Sequence, residues 1–392
     1  MADARLPGVN DFSDSRSAAV DQRARWAGLR GPGVPPRPLD ARALAALAAN
    51  PGCGRRAVLD AAGVDKGAVA RALGSPERFG QSQFAFARGN AFEARVKADG
   101  CAELLRLLGA AEGETADLPD LAAAGPEGRV ARTRLALQEA TAARRWTLLD
   151  HPLLVLEVAG APVHLEPDAV AVRPDGGWTV VEVKSFPVLD GVADPVKVGA
   201  AARQAAVYVL ALERLDASAP RPDVLLVCPK DFSNVPTAEL VDVRRQLAVT
   251  RRQLARMTKV ERIAATLPEG TTFDVTRERP PGELAEAVEA VPAAYAPECL
   301  DSCELAYHCR DRARERGAVE ALGRSVRGEL GTLTTVERLL AAAYGDRDGR
   351  DSRDGAEDER DGDGRDVDPA AVALRRAAAL RAEALGREAS CR

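Results

Sequence analysis

Aromatic residues make up only 4% of the chain, so its core must be built mainly from Ala, Leu and Val. No run of about 18 apolar residues occurs, and a transmembrane helix is therefore not expected. The opening residues, MADARLPGVNDFSDSR, have no apolar stretch behind their charges, so no secretory signal is expected either. A G-x-x-x-x-G-K-[ST] phosphate loop is also missing, which excludes a P-loop motor within the chain. Neither sign of charge dominates: 54 basic against 59 acidic residues give a net charge of -5, which argues against a wholly basic nucleic-acid coat. Seven Cys in 392 residues are too sparse for a disulfide framework, so a cytoplasmic protein with free, buried or metal-binding thiols is expected. The 46% hydrophobic content in turn excludes disorder throughout.

The charge is unevenly placed. Residues 346–368, DRDGRDSRDGAEDERDGDGRDVD, hold 11 acids and 5 Arg, which is -6 and leaves the rest of the chain at about +1. A near-neutral body can still carry a local basic groove. This acidic stretch has no apolar period and reads as a disordered linker, with residues 369–392 as one more helix behind it. At the other end, residues 1–38 contain PGVPPRP and little periodicity, and read as an N-terminal arm. Residues 39–150 read as helical. Asp40 is the N-cap of the first helix, Asn50-Pro51-Gly52 its stop, and Gly100 a break within a longer amphipathic helix.

The texture changes over residues 151–235. LLVLEVAG, VHLEPDAVAVR and WTVVEVKSF are β-branched runs separated by Gly160-Ala161-Pro162 and Pro174-Asp175-Gly176-Gly177, which predicts a three-stranded meander. A helix at about 195–215 and a buried strand, DVLLVC, follow. Residues 236–345 read as helical again, beginning with a long helix at about 237–264. The expected class is α/β, with a mixed sheet flanked by helices.

Glu166-Pro167-Asp168 and Val181-Glu182-Val183-Lys184 carry the chemistry of that core. In a strand, residues two apart share a face, so Glu182 and Lys184 project together while Val181 and Val183 pack on the other side. A hairpin from Asp168 to Glu182 brings the two carboxylates close. Two hard carboxylates suit magnesium or manganese. A lysine beside such an ion can orient or deprotonate a water and stabilise charge developing on a phosphate. The bland alternative is a surface hairpin showing one Glu and one Lys.

A second cluster lies at Cys299, Cys303 and Cys309, spaced C-x3-C-x5-C. Coincidence, a zinc knuckle completed by His308, and an iron–sulfur cluster completed by a remote thiolate all fit three such thiols. The remote candidate is Cys53, flanked by glycines in Asn50-Pro51-Gly52-Cys53-Gly54. Cys101, Cys228 and Cys391 read as spectators.

The motifs E-P-D-A-V, V-E-V-K-S and Gln204-Ala205-Ala206-Val207-Tyr208, in that order, resemble the PD-(D/E)xK nuclease superfamily in its RecB-like form. The resemblance covers about residues 50–315 and implies a restriction-endonuclease-like core. It implies that Glu93, in Arg88-Gly89-Asn90-Ala91-Phe92-Glu93, is the upstream helix acid, Phe92 standing where many members have His. It further implies a metal held by Glu93, Asp168, Glu182 and the carbonyl of Val183. Lys184 would activate water, and Gln204 and Tyr208 would place the substrate phosphate or the lysine. One Cys before the core and three after it resembles the iron–sulfur members, the CRISPR-associated exonucleases and AddB-type repair nucleases. Their usual C-x2-C-x5-C spacing is one residue shorter. That resemblance implies a 4Fe-4S cluster on Cys53, Cys299, Cys303 and Cys309, stapling a helical subdomain to the core.

Residues 244–262 add seven basic residues against Glu261, and helical spacing puts Arg245, Arg252, Arg256 and Lys259 in one stripe that suits phosphates. A solvated amphipathic face is the alternative. Phe232 and Trp178 are expected in the core rather than stacked on bases. The expectation from the whole sequence is a DNA exonuclease on single strands, in defence or repair, with any helicase supplied in trans and no membrane association. An inactive scaffold subunit or a restriction-type double-strand endonuclease are the competing classes.

Overall fold

The computed structural model describes residues 22–75, 83–158, 161–256, 260–280, 282–345 and 368–389. Lys259, Cys391, most of the expected N-terminal arm and all but Asp368 of the acidic linker lie outside these residues. Two compact units are present, Met1–Ala293 with Leu300–Leu305, and Ala294–Cys299 with Ala306–Arg392.

The first unit is an α/β fold with a mixed sheet. Its helices are α1 (22–30), α2 (Ala41–Ala49), α3 (Gly54–Ala61), α4 (Lys66–Ala72), α5 (Gln83–Val96), α6 (Ala98–Leu107), α7 (Gly125–Ala143), α8 (Pro195–Glu213), α9 (Arg244–Arg256), α10 (Val260–Ala265) and α11 (Glu283–Glu289). The five-stranded sheet runs in the order β1 (Thr147–Asp150), β4 (Ala169–Val172), β5 (Trp178–Val183), β8 (Asp223–Pro229), β9 (Pro236–Asp242). Neighbours are antiparallel except β5 and β8, which are parallel and joined through α8. Two hairpins stand apart from it, β2–β3 (Leu154–Val158 and Ala161–Leu165) and β6–β7 (Val188–Leu189 and Val192–Ala193). The second unit is helical, with α12 (Ala306–Glu315), α13 (Arg324–Glu329), α14 (Val336–Tyr344) and α15 (Pro369–Ala389), the last being the helix expected behind the acidic stretch.

Alternation assigns the two faces of the sheet. Ala169, Ala171, Val181, Leu225 and Val227 pack with Phe92, Val96, Leu104 and Leu108 of the α5–α6 region. On the opposite face Leu226 and Cys228 pack with Ala201 of α8. Asp40 caps α2 by accepting from Ala43 N at 2.7 Å, as expected. The break near Gly100 is also present: Asp99, Gly100 and Cys101 have φ of 52°, 65° and 62°, a left-handed turn directly behind Lys97.

Four expectations are corrected. The predicted meander is split, because Glu166-Pro167-Asp168 interrupts its middle strand. Residues before the break pair in β2–β3, and those after it join the main sheet. Thr147–Asp150, not predicted as a strand, takes the sheet position beside β4. The long helix expected from 237 does not start there: Pro236–Asp242 is strand β9, paired along its whole length with β8, and α9 begins at Arg244. Phe232 is 85% exposed beyond the end of β8, against the core expectation, whereas Trp178 is buried as expected.

Helix α3 carries a buried charge group. Asp60 accepts from Arg56 Nε at 3.0 Å and from Lys66 Nζ at 2.5 Å, and all three residues are buried. Arg56 Nη1 also donates to the Ser302 carbonyl at 2.5 Å, tying residues 300–305 to this helix. Burial opposes the charge on Arg56, but Asp60 outweighs it and raises the guanidinium pKa further. Asp60→Asn removes the anion that both buried cations share, leaving Glu304, 3.9 Å from Lys66, as a distant substitute, and is expected to cost roughly 3–5 kcal/mol. Urea denaturation of the two proteins checks this; a midpoint equal to wild type would show that the group contributes nothing to the stability of the fold.

Candidate active site

The β4–β5 pairing sets Ala169 opposite Val181, which puts Asp168 next to the Glu182–Val183 segment. Asp168 Oδ2 accepts from Val183 N at 2.7 Å. Glu182 is 1% exposed, and the Lys184 ammonium stands in ion contact with its Oε1. Beyond that contact neither carboxylate oxygen has a hydrogen-bond partner among the described residues. Lys184 itself continues the parallel pairing, its N–H donating to Val227 O at 2.8 Å. Val181 and Val183 pack into the apolar cluster on the other face, as strand alternation requires.

The electrostatics follow from burial. Desolvation raises the Glu182 carboxyl from an ordinary 4.5 to about 7, opposed by the charge of Lys184 and reinforced by Asp168. Desolvation also raises Asp168, against the Lys184 charge and the Val183 N–H bond. For Lys184, burial disfavours the ammonium, but Glu182 and Asp168 outweigh it and raise its pKa. The site therefore holds a charged lysine beside a Glu182 carboxyl that burial drives toward its neutral form.

Gln204 and Tyr208, one turn apart on α8, also meet here. Gln204 Nε2 donates to the Tyr208 hydroxyl at 3.0 Å, and that hydroxyl donates to the Glu166 carbonyl at 3.2 Å. The pair clamps the bend that leads into Asp168. Burial, with the Glu182 charge behind it, raises the Tyr208 pKa and keeps the phenol protonated.

Glu93 lies at the end of α5, and three residues not foreseen in the sequence surround it. Lys97, four residues on and so on the same helix face, donates to Glu93 Oε1 at 2.5 Å, and its Nζ lies 2.6 Å from Asp150 Oδ1. It also donates to the Asp168 carbonyl at 2.8 Å. His151 Nε2 lies 3.1 Å from Glu93 Oε1. The His151 bond, opposed by burial and helped by Lys97, lowers the Glu93 pKa to about 2. The sequence signals were faint: an i, i+4 acid–lysine pair, and one of only three His in the chain. Beside this corner a cavity of about 290 Å³ is lined by Asp120, Leu121, Arg129, Asp150 and His151, among others.

The buried carboxylate of Glu182, with only a lysine against it and with Asp168 and Glu93 near it, fits a hard divalent cation. Among the described residues, however, no three His, Cys, Asp or Glu side chains converge as a ready-made metal cage. The cysteines divide between the two units. Cys53, at the N-terminus of α3, and Cys303, whose charge acts on Arg56, belong to the first. Cys299 and Cys309, which both act on Tyr295, belong to the second. Cys101 and Cys228 are buried, in keeping with a spectator role.

On α9, Arg245, Arg252 and Arg256 are exposed, while Arg244 and Arg251 are paired with Asp242 and Glu213. The fourth residue of the expected stripe, Lys259, lies outside the described residues.

No protein-family model matches the sequence, and no curated protein matches it significantly. Among solved structures, one described as "Crystal structure of SSO0001" is similar over 61% of this chain and 86% of that chain, at 10% identity and a TM-score of 0.27. A score that low carries no argument about fold or activity. Among the described residues, no helix is long and apolar enough to cross a membrane.

The raised Glu182 pKa has a consequence for stability in protein kept in chelator. Between pH 4.5 and about 7 the folded chain holds a proton here that the unfolded chain has lost, so stability falls as pH rises through that window. Glu182→Gln removes the titration. Wild type should lose on the order of 2–3 kcal/mol relative to Glu182→Gln between those limits, since each tenfold change in proton affinity is worth about 1.4 kcal/mol. Parallel urea midpoints across that range would show that Glu182 does not bind the proton.

Proposed function

We propose that this chain is a metal-dependent DNA nuclease of the PD-(D/E)xK type, with a restriction-endonuclease-like core and an iron–sulfur cluster. The observation that carries the reading is the Glu182 carboxylate, buried beside Asp168 with no partner among the described residues but the lysine two residues on. A structural carboxylate is rarely left so, because burying one without full compensation costs several kcal/mol.

In this reading Glu93, Asp168, Glu182 and the carbonyl of Val183 hold magnesium or manganese. When bound, such an ion polarises a phosphoryl oxygen and makes water a better nucleophile. Lys184 remains an ammonium beside its two acids, so its contribution is a fixed positive charge toward phosphate oxygens and orientation of the attacking water. The Gln204–Tyr208 clamp on Glu166 fixes the bend from which Asp168 projects. Arg245, Arg252 and Arg256 offer exposed charge to a phosphate backbone. The single strand as substrate, exonucleolytic cleavage, a role in defence or repair, and a helicase acting in trans rest on the sequence resemblance. So does the assignment of Cys53, Cys299, Cys303 and Cys309 as ligands of a 4Fe-4S cluster.

Asp168→Ala, Glu182→Ala or Lys184→Ala should abolish magnesium- or manganese-dependent cleavage of labelled single-stranded DNA, with circular dichroism unchanged. The loss should correspond to about 3 kcal/mol or more of transition-state stabilisation. A variant that cleaves at the wild-type rate would remove that residue from the site, and a wild-type chain inert on linear and closed circular DNA would leave an inactive scaffold.

The cysteine assignment has its own readout. Protein purified without oxygen should be brown and contain about four irons per chain, as a Cys-ligated 4Fe-4S cluster requires. Cys303→Ala should lose colour and iron together. Stoichiometric zinc without iron would replace the cluster with a zinc knuckle.

A further inference from the structure

Lys97 is the most heavily engaged cation of the site. Its ammonium lies 2.5 Å from Glu93 Oε1, 2.6 Å from Asp150 Oδ1 and 2.8 Å from the Asp168 carbonyl. Three acceptor oxygens match its three protons. His151 Nε2, 3.2 Å away, is then left to donate to Glu93 Oε1 at 3.1 Å. Glu93, Asp150 and His151 are of the types that ligate metals, but they do not converge as a cage, and the ammonium stands between them.

The backbone is specialised at both ends of this arrangement. His151 has φ of 43°, a left-handed conformation that is uncommon outside glycine. Its N–H points to the same Asp168 carbonyl at 3.3 Å, and its own carbonyl accepts from Arg129 Nη2 at 3.1 Å. Behind Lys97 come the three left-handed residues Asp99, Gly100 and Cys101. Such conformations are strained where glycine is not used, and persist only where the surroundings hold them.

We propose that Lys97 is a positioning residue that serves as the resident cation of this corner, standing where a second metal ion would otherwise bind and limiting the site to one divalent ion. The proposal rests on the nuclease reading for the first ion. The charge count agrees with it: Glu93, Asp150, Asp168 and Glu182 offer four negative charges when ionised, Lys97 and Lys184 supply two positive ones and His151 a third when protonated, so a single further divalent ion suffices. Lys97 also holds the Asp168 main chain, while the Asp168 carboxylate turns to the Val183 N–H through Oδ2.

The test is a count of Mn²⁺ bound to the full-length chain, by electron paramagnetic resonance of free ion during titration. Wild type should bind one tightly held ion. Lys97→Met, similar in length but uncharged, should bind two, and the extra ion should be lost again in Lys97→Met/His151→Ala. The acid-rich tail is common to all these chains, so differences between them report the site. If the Met variant does not fold, Lys97→Gln, which can still donate to the Asp168 carbonyl, replaces it with the same expectation. Equal counts in wild type and the Lys97 variant, or two ions already in wild type, would overturn the proposal. The nuclease reading is tested separately by Glu182→Gln, which should lose the wild-type ion. A wild type that binds none would sink that reading, while the Lys97 role would still be decided by whether its variant gains one.

Discussion

Removing the Glu182 carboxylate from water, with no partner among the described residues beyond a single ammonium, is the constraint on which the rest of the site depends. A carboxyl in that position is driven toward its neutral form unless cations are fixed close by. The flanking structure meets the constraint in two ways. Lys184 projects from the same edge of β5, so one cation comes with the strand itself. Helix α8 closes over that face of the sheet through small residues, with Ala201, Ala202 and Ala205 all buried, and excludes water. The closeness that burial requires is also what brings Tyr208 within reach of the Glu166 carbonyl.

Much of this arrangement was legible in the sequence because it depends on short-range geometry. Alternation alone puts Glu182 and Lys184 on one side and Val181 and Val183 on the other. The turn Pro174–Gly177 alone makes β4 and β5 neighbours, and with them Asp168 and Glu182. The helix face of Gln204 and Tyr208 is an i, i+4 relation. What the sequence hid was non-local. The apolar runs at 153–165 alternate equally well in a meander or in a separate hairpin, and only the proline at 167 hinted at the break. Residues 237–247 place Leu240, Val241, Val243 and Leu247 at helix-like spacing, yet seven residue pairs with β8 outweigh that local pattern and make β9 a strand. Asp150 and His151 could not be tied to Glu93 without knowing that β1 lies beside β4.

The two acid–lysine pairs of the site are each local and each use the period of their own element. Glu93 and Lys97 are four apart on a helix, and Glu182 and Lys184 are two apart along a strand. Neither pair specifies the other. The residue that joins them is Asp168, and it does so with different atoms: its carboxylate accepts from the Val183 N–H between Glu182 and Lys184, while its carbonyl accepts from Lys97. The break in the chain at Glu166-Pro167-Asp168 follows from this double duty, since a regular strand would commit the Asp168 carbonyl to a ladder partner. Here it is left to the Lys97 ammonium and the His151 N–H, and the Tyr208 hydroxyl takes the Glu166 carbonyl exposed by the same bend. The departure from strand geometry is thus what connects the helix-borne charges to the strand-borne ones.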